Sequence, residues 1–349
     1  MRFATSVVCK RFWFPAMFSL IFTAPLSASP IFGSLSNFDV VNDTGEVCHG
    51  FEIELEGLNP SDIFGTFGNP YIRYGDPTII PTPTGTLIRY ASGFGPSGWA
   101  TGTPVPSGPF PQGGHQAFYP AYGGDPNYET LGGEHFGIAF NGNPTNTIYR
   151  WLLGDASGNL NPTGTNVSIP APTWNVAPPV VPGAAPAVQA VIPALPIEQP
   201  GALFGEAIWV KVFVTESPDP MELNQLLPGN PRVPDSSDPA EVEVEWQLLQ
   251  AGKGGMEELD SGLNELGNNS ESITRRYEFY AYTGPYDPEG EALIEDPADD
   301  PTAVGEFLGA QNAALNLEAF AIPEAHSWIL VSAAMVGMGL FARRRSSGS

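Results

Sequence analysis

Glycine and proline interrupt this chain so often that a bundle of long helices is disfavoured. The sequence contains 40 glycines and 37 prolines among 349 residues, and both residue types break helices and mark turns. Hydrophobic residues make up 42% of the chain, which is enough for a core, whereas charged residues make up only 15%, below the usual quarter. This composition favours short β-strands joined by turns.

The strand patterns point the same way. Residues 51–56 and 242–246 alternate apolar side chains with carboxylates, as expected of strands that bury one face. Residues 208–214 form a nearly continuous apolar run, and residues 276–282 end at a Gly-Pro turn. We therefore predict an all-β fold built from two antiparallel β-sandwich-like units.

The composition also suggests where these units begin and end. Residues 29–168 are rich in glycine and aromatic residues, and residues 201–320 carry most of the acid. Between them, residues 169–200 have a proline every few positions and a single charge, Glu198. We interpret this stretch as an extended Pro-rich linker, with edge strands packed on a domain as the alternative.

The first 28 residues have the three parts of a secretory signal peptide. Basic residues precede an apolar run at 12–24, and small residues follow at 27–29. This order predicts export and cleavage after Ala28. An uncleaved membrane anchor is the alternative, although the apolar run is short for a span and contains Pro15.

The last residues, 321–349, predict a second sorting signal. Residues 327–342 contain no charge and could form a transmembrane segment, and three arginines follow at once. Pro323 and Glu324, then the apolar segment, then Arg343, Arg344 and Arg345 resemble the tail of PEP-CTERM proteins. Ala325 stands where that family usually has a second proline.

The resemblance covers only the tail, so it has implications for the cellular localisation of the protein and none for the fold of the body. It implies recognition by an exosortase-type processing enzyme, transient anchoring in the inner membrane, and cleavage near the Pro-Glu motif. The mature protein would then reach the cell surface or the extracellular polysaccharide matrix. An ordinary C-terminal anchor with a positive stop is the alternative.

The negative charge of the body, the part of the chain between the two terminal signals, excludes some classes of binding partner. Of the 38 acidic residues, all except Glu324 lie between the two terminal signals, but only eight of the 14 basic residues do. Such a body repels nucleic acid and anionic lipid, and it could attract divalent cations or basic partners. The alternative is that the acids only keep the protein soluble.

We predict no catalytic residues. Cys48 and His49 are neighbours, as are Glu134 and His135, but adjacent side chains of a strand point to opposite faces. His115 lies in a Gly-rich loop with no further metal ligand that we can assign.

Two acid-rich loops, 287–291 and 295–300, cluster the oxygen ligands that Ca²⁺ prefers. Asp296, Asp299 and Asp300 are the candidate ligands. A solvated acidic loop is the alternative.

The sequence is compatible with two classes of function. The first is a non-enzymatic structural or interaction protein of the cell surface or extracellular matrix. The second is an extracellular carbohydrate-binding or polysaccharide-hydrolysing protein, because aromatic residues in the first region could stack on sugar rings or could instead plug the ends of a sandwich. A deep cleft with two carboxylates and an aromatic platform would favour the second function.

Overall fold

A computed structural model describes most of the chain between the two terminal signals. The described residues are 33–69, 72–108, 132–163, 167, 169–177, 186–227, 230, 232–234, 243–254, 258–260, 264–265 and 270–317. The predicted signal peptide, the predicted transmembrane segment and the sorting residues Pro323, Glu324, Arg343, Arg344 and Arg345 lie outside them. Within the described part, no helix is long and apolar enough to span a bilayer.

The described chain is all-β, as predicted. Its helical structure consists of three short 3-10 turns, at Pro60–Asp62, Leu223–Gln225 and Pro301–Ala303. The strands, in chain order, are β1 (Ser34–Val41), β2 (Cys48–Glu56), β3 (Ile63–Thr66), β4 (Thr78–Pro81), β5 (Gly85–Ala91), β6 (Phe94–Gly95), β7 (Gly98–Trp99), β8 (Gly133–Phe140), β9 (Asn146–Gly154), β10 (Leu160–Pro162), β11 (Thr173–Ala177), β12 (Ala187–Pro193), β13 (Ile208–Ser217), β14 (Glu243–Leu249), β15 (Glu258–Asp260), β16 (Asn264–Glu265), β17 (Ser272–Tyr282) and β18 (Val304–Asn316).

These strands form antiparallel sheets. The largest sheet has the order β14-β13-β17-β18-β1-β8-β3, and the second has the order β10-β9-β2-β5-β4. A third sheet has the order β11-β12-β15, with β16 also paired to β12, and β6 and β7 form a small hairpin.

The seven-stranded sheet joins the two ends of the chain. Strand β1 pairs with β18 on one side and with β8 on the other, so Phe38 lies opposite both Gln311 and Phe136. This pairing differs from the expected two sandwich units, because strands from 29–168 and from 201–320 share one hydrogen-bonded sheet. The period-two patterns predicted the strands, but partners about 270 residues apart leave no local signal.

Residues 169–200 also differ from the expected linker. They contain β11 and β12, which pair from Thr173 opposite Val191 to Ala177 opposite Ala187. Trp174, Val188 and Ala190 are buried. The alternative, in which this stretch packs against a domain as strands, is the arrangement found, with β11 at the edge of its sheet.

One hydrophobic core lies between the seven-stranded sheet and the other two sheets. Phe136 of the large sheet stacks on Phe51 of β2 with ring centroids 4.2 Å apart, and Phe38 stacks on Tyr149 of β9 at 4.4 Å. Farther along, Arg275 of β17 lies over the ring of Trp174 at 5.8 Å. The five-stranded and four-stranded sheets therefore cover adjacent parts of the same face.

The opposite face of the large sheet is covered by loops. Met221, Leu226 and Val233 pack on one part of it. Ala292 and Ala303, from the loop between β17 and β18, pack on another part around Trp209. The acid-rich loop is therefore anchored by buried apolar residues within its own sequence.

Candidate binding groove

The three predicted calcium ligands lie together in the loop between β17 and β18, but two of them already have backbone partners. Oδ1 of Asp296 accepts a hydrogen bond from the Ala298 amide at 2.8 Å, and Oδ1 of Asp300 accepts one from the Thr302 amide at 3.0 Å. Within the described part of the chain, no group of three or more His, Cys, Asp or Glu side chains could hold a metal ion. The calcium site stays a prediction.

The Glu134 and His135 side chains take different partners, as expected of neighbours in a strand. Arg73 Nε lies 2.5 Å from Glu134 Oε2, and His135 Nδ1 lies 3.3 Å from Asp39 Oδ1. Burial lowers the pKa of His135 to about 3 and raises the pKa of Glu134, with the Arg73 charge opposing the second shift. Because all four side chains are buried, this cluster supports the fold and does not meet a ligand.

Cys48 and His49 are also held apart. Burial raises the pKa of the Cys48 thiol to about 11, so it stays protonated at neutral pH and is a poor nucleophile. His49 contacts the Thr101 carbonyl through Nδ1 at 2.8 Å and stacks on Trp99 with ring centroids 4.9 Å apart. His115 lies outside the described residues.

The predicted aromatic platform is partly present. Phe94 and Trp99, from the β6–β7 hairpin, have ring centroids 4.9 Å apart, and Phe94 is 44% exposed. Tyr74 is instead buried and donates a hydrogen bond to the Cys48 carbonyl at 3.0 Å. Most of the other aromatic residues of the first region that the sequence suggested, from Phe110 to Tyr128, lie outside the described residues.

A groove of about 720 Å³ lies where three loops meet. One wall is the segment 194–206, which leads from β12 to β13, and the other wall is the turn 286–290. Asp43, from the turn between β1 and β2, also lines the groove. A volume between 300 and 1,000 Å³ is typical of ligand sites. We call this cavity the acidic groove.

Buried Gln250 bridges the two walls. Its Nε2 donates to the carbonyl of Gly205 at 2.9 Å and to that of Gly290 at 2.8 Å, while its Oε1 accepts from the Ala292 amide at 2.9 Å. Replacing this side chain would leave buried backbone groups unsatisfied, which costs about 1–3 kcal/mol per group. The spacing between the walls is therefore set by the core.

Two further side chains fix the turn wall. Lys253 is buried, donates to the Ala292 carbonyl, and places Nζ 3.2 Å from Glu295 Oε1. Within the turn, Oδ1 of Asp287 accepts from the amides of Glu289 and Glu291 at 2.9 and 2.8 Å. The same pattern occurs at Asp155, which indicates a turn-forming role for Asp287 rather than a ligand role.

The lining of the acidic groove carries one sign of charge. Among the described residues, the charged residues of the lining are all acids, and they are Asp43, Glu198, Glu206, Asp287 and Glu289. Tyr286 also lines the groove and is 42% exposed; burial of the rest of the ring raises the pKa of its phenol.

The basic residues are committed elsewhere. Of the eight in the body, five form ion pairs with carboxylates, and these are Arg73, Arg89, Arg150, Lys253 and Arg276. Lys211 lies over aromatic rings, and Arg275 lies over Trp174. Arg232 donates to Gln225 Oε1 at 3.0 Å.

Sequence reasoning found parts of this groove but not the groove itself. The acid-rich loop 287–291 and the lone charge of Glu198 were both evident. Gln250 gave no signal, because a glutamine at the end of a strand is ordinary and its partners lie 40 or more residues away.

Comparison with protein-family models, with curated proteins and with solved structures finds no significant match to this chain. The function must therefore be argued from the residues of this chain alone.

Proposed function

We propose that this protein is an exported, non-enzymatic interaction protein of the cell surface or extracellular matrix, and that the acidic groove is its binding site. The observation that carries the proposal is the Gln250 side chain, which bridges the two groove walls. A preformed site loses less conformational entropy when a ligand binds. The terminal signals supply the expected address, with an exosortase-type enzyme as the processing partner.

Extracellular polysaccharide binding is the second candidate function. The observation that favours it is the cluster of Phe94, Trp99 and His49, in which His49 stacks on Trp99 and the Phe94 ring is tilted against Trp99, both with centroid distances of 4.9 Å. Exposed aromatic faces suit sugar rings. This cluster lies at the β6–β7 hairpin, and none of its residues lines the acidic groove, so the two candidates can be tested separately.

Export is tested by intact-mass measurement of the protein purified from its native host, together with cell fractionation. We expect a surface or matrix protein that begins near Ser29 and lacks Arg343, Arg344 and Arg345. A cytoplasmic protein that begins at Met1 would contradict the proposal.

The binding site is tested by returning the purified mature protein to host cells that lack the gene. We expect saturable rebinding that falls at least about tenfold for Tyr286→Ala, the loss typical of a residue central to an interface. Phe94→Ala is the matched control, because the two rings are 42% and 44% exposed. Loss of rebinding with Phe94→Ala alone would favour the polysaccharide function and reject the acidic groove.

A further inference from the structure

A second cavity adjoins the acidic groove and differs from it in character. It has a volume of about 140 Å³, and apolar side chains from three strands or loops dominate its lining, including Val41, Ile169 and Phe307. Asp43 lines both cavities. The two cavities are therefore adjacent parts of one surface, with an acidic part and an apolar part.

The rim of the acidic groove is also mixed. Ile197 and Leu203 belong to the 194–206 wall and are 41% and 63% exposed. Exposed aliphatic side chains beside carboxylates offer both apolar contact and ionic contact. This combination suits a ligand that itself carries both kinds of group.

We propose that this surface binds a basic peptide segment that carries Lys or Arg beside aliphatic residues. The inference rests on the proposed binding function and adds the chemistry of the partner. The basic residues of such a segment can pair with the carboxylates of the groove, while its aliphatic residues contact the apolar cavity and the exposed aliphatic side chains of the 194–206 wall.

Charge complementarity selects this occupant over others. Among the described residues, the lining of the two cavities contains acids and no lysine or arginine, and the whole chain has a formal charge of −24. Such a field attracts cations and speeds their association, whereas it repels an anionic polysaccharide, an anionic membrane or a second copy of this chain.

A bound metal ion is a weaker fit to the same lining. Asp287 already accepts two backbone hydrogen bonds through Oδ1. In the part of the chain that the structure describes, His, Cys, Asp and Glu nowhere form a metal-holding group of three or more. A row of ammonium or guanidinium groups needs no such convergence, because each group can pair with one carboxylate.

The test uses a fluorescein-labelled peptide, Lys-Leu-Lys-Leu-Lys-Leu-amide, and the mature protein purified from its host. Six extended residues span about 20 Å. We expect saturable binding by fluorescence anisotropy, with an affinity that falls as NaCl rises from 50 to 300 mM because salt screens exposed charges. A peptide with Glu in place of Lys should not bind, and one with Ser in place of Leu should bind more weakly.

The decisive comparison is between two double variants that change the net charge equally. Glu206→Gln with Glu289→Gln removes two exposed carboxylates from the groove, and the dissociation constant should rise about tenfold. Glu258→Gln with Glu271→Gln removes two exposed carboxylates outside both linings and should change the constant less than about twofold. Because all four side chains are exposed, folding should be unaffected.

Three outcomes would overturn the inference. They are no binding of the Lys-Leu peptide, equal weakening by the two double variants, and competition by neutral maltohexaose at the same site. If the peptide fails but Tyr286→Ala still reduces rebinding to host cells, the groove stays the binding site and only the partner chemistry is wrong. If both measurements fail, the proposed function fails as well.

Discussion

The β8 cluster and the acidic groove both gather carboxylates, but they treat them in opposite ways. In the β8 cluster, which comprises Asp39, Arg73, Glu134 and His135, every side chain is buried. The Glu134 carboxylate meets the Arg73 cation, and the Asp39 carboxylate meets the ring of His135, which is neutral at pH 7. In the acidic groove, five carboxylates line about 720 Å³ of open space, and the described lining residues include no base.

The difference separates a structural role from a binding role. A buried carboxylate must be paired, because an unpaired charge in the core costs several kcal/mol. Carboxylates in an open groove can be solvated by water, so they do not need a buried cation to be stable. Five of the eight bases in the body form ion pairs with carboxylates, and the body keeps a large excess of negative charge.

The largest effect should come from breaking the buried pair. Arg73→Met leaves Glu134 buried without its cation, and also removes donors to the carbonyls of Gly102 and Gly133 at 3.0 Å. We expect the free energy of unfolding, measured in urea, to fall by about 3–5 kcal/mol.

The matched control is Arg150→Met. Arg150 Nη1 lies 2.7 Å from Glu54 Oε2, but these side chains are 25% and 19% exposed. Its removal should cost about 1 kcal/mol or less. Equal losses for the two variants would show that burial does not distinguish the two kinds of charged site.

The sequence predicted well which side chains of a strand are buried in the core and which lie on the opposite face. The alternation in 51–56 placed Phe51, Ile53 and Leu55 in the core and Glu52 and Glu54 on the other face, where Arg89 and Arg150 from the neighbouring strands meet them. Alternation is a property of adjacent residues, so it can be read without knowing the partners of the strand.

The sequence could not predict the pairing of distant strands. Nothing near Phe38 indicates that Gln311 lies opposite it, and the proline spacing in 169–200 resembles a linker until β12 is found buried between β11 and β15. The groove depends on the same long-range contacts, since Gln250 meets Gly205 and Gly290 only after the large sheet has formed.

A smaller effect should appear when the pH is lowered, and it tests the buried side of the comparison. The pKa of His135 is about 3 in the folded protein and about 6.5 in an unfolded chain. Between these values the unfolded state binds a proton that the folded state does not, so stability falls as the pH drops below 6.5. The slope from this residue is about 1.4 kcal/mol per pH unit.

Urea unfolding at pH 7, 6 and 5 should show this slope in the unmodified protein and a shallower slope in His135→Asn. The groups that face His135 are Asp39, the Glu134 carboxylate through the His135 amide, and the ring of Phe67 at 5.1 Å. Both proteins retain them, so their contribution cancels in the difference. Identical slopes would mean that His135 is protonated in the fold.

The smallest effect concerns the acid-rich loop and decides whether the open carboxylates include a calcium site. Between Glu216 and Glu306 the sequence has 22 acids and four bases, so added salt of any kind should raise the melting temperature by screening repulsion. We expect the melting temperatures in NaCl and in CaCl₂ at matched ionic strength to agree within about 2 °C, because Asp296 and Asp300 already accept backbone hydrogen bonds.

Specific calcium binding at a hundred times the dissociation constant would add about 2.7 kcal/mol of stability, or roughly 5–10 °C in melting temperature for a chain of this size. A gain of that order in CaCl₂ that is lost in Asp299→Asn with Asp300→Asn and kept in Glu258→Gln with Glu271→Gln would contradict this expectation. The protein would then depend on calcium for stability, and the carboxylates of the acid-rich loop would have a structural role.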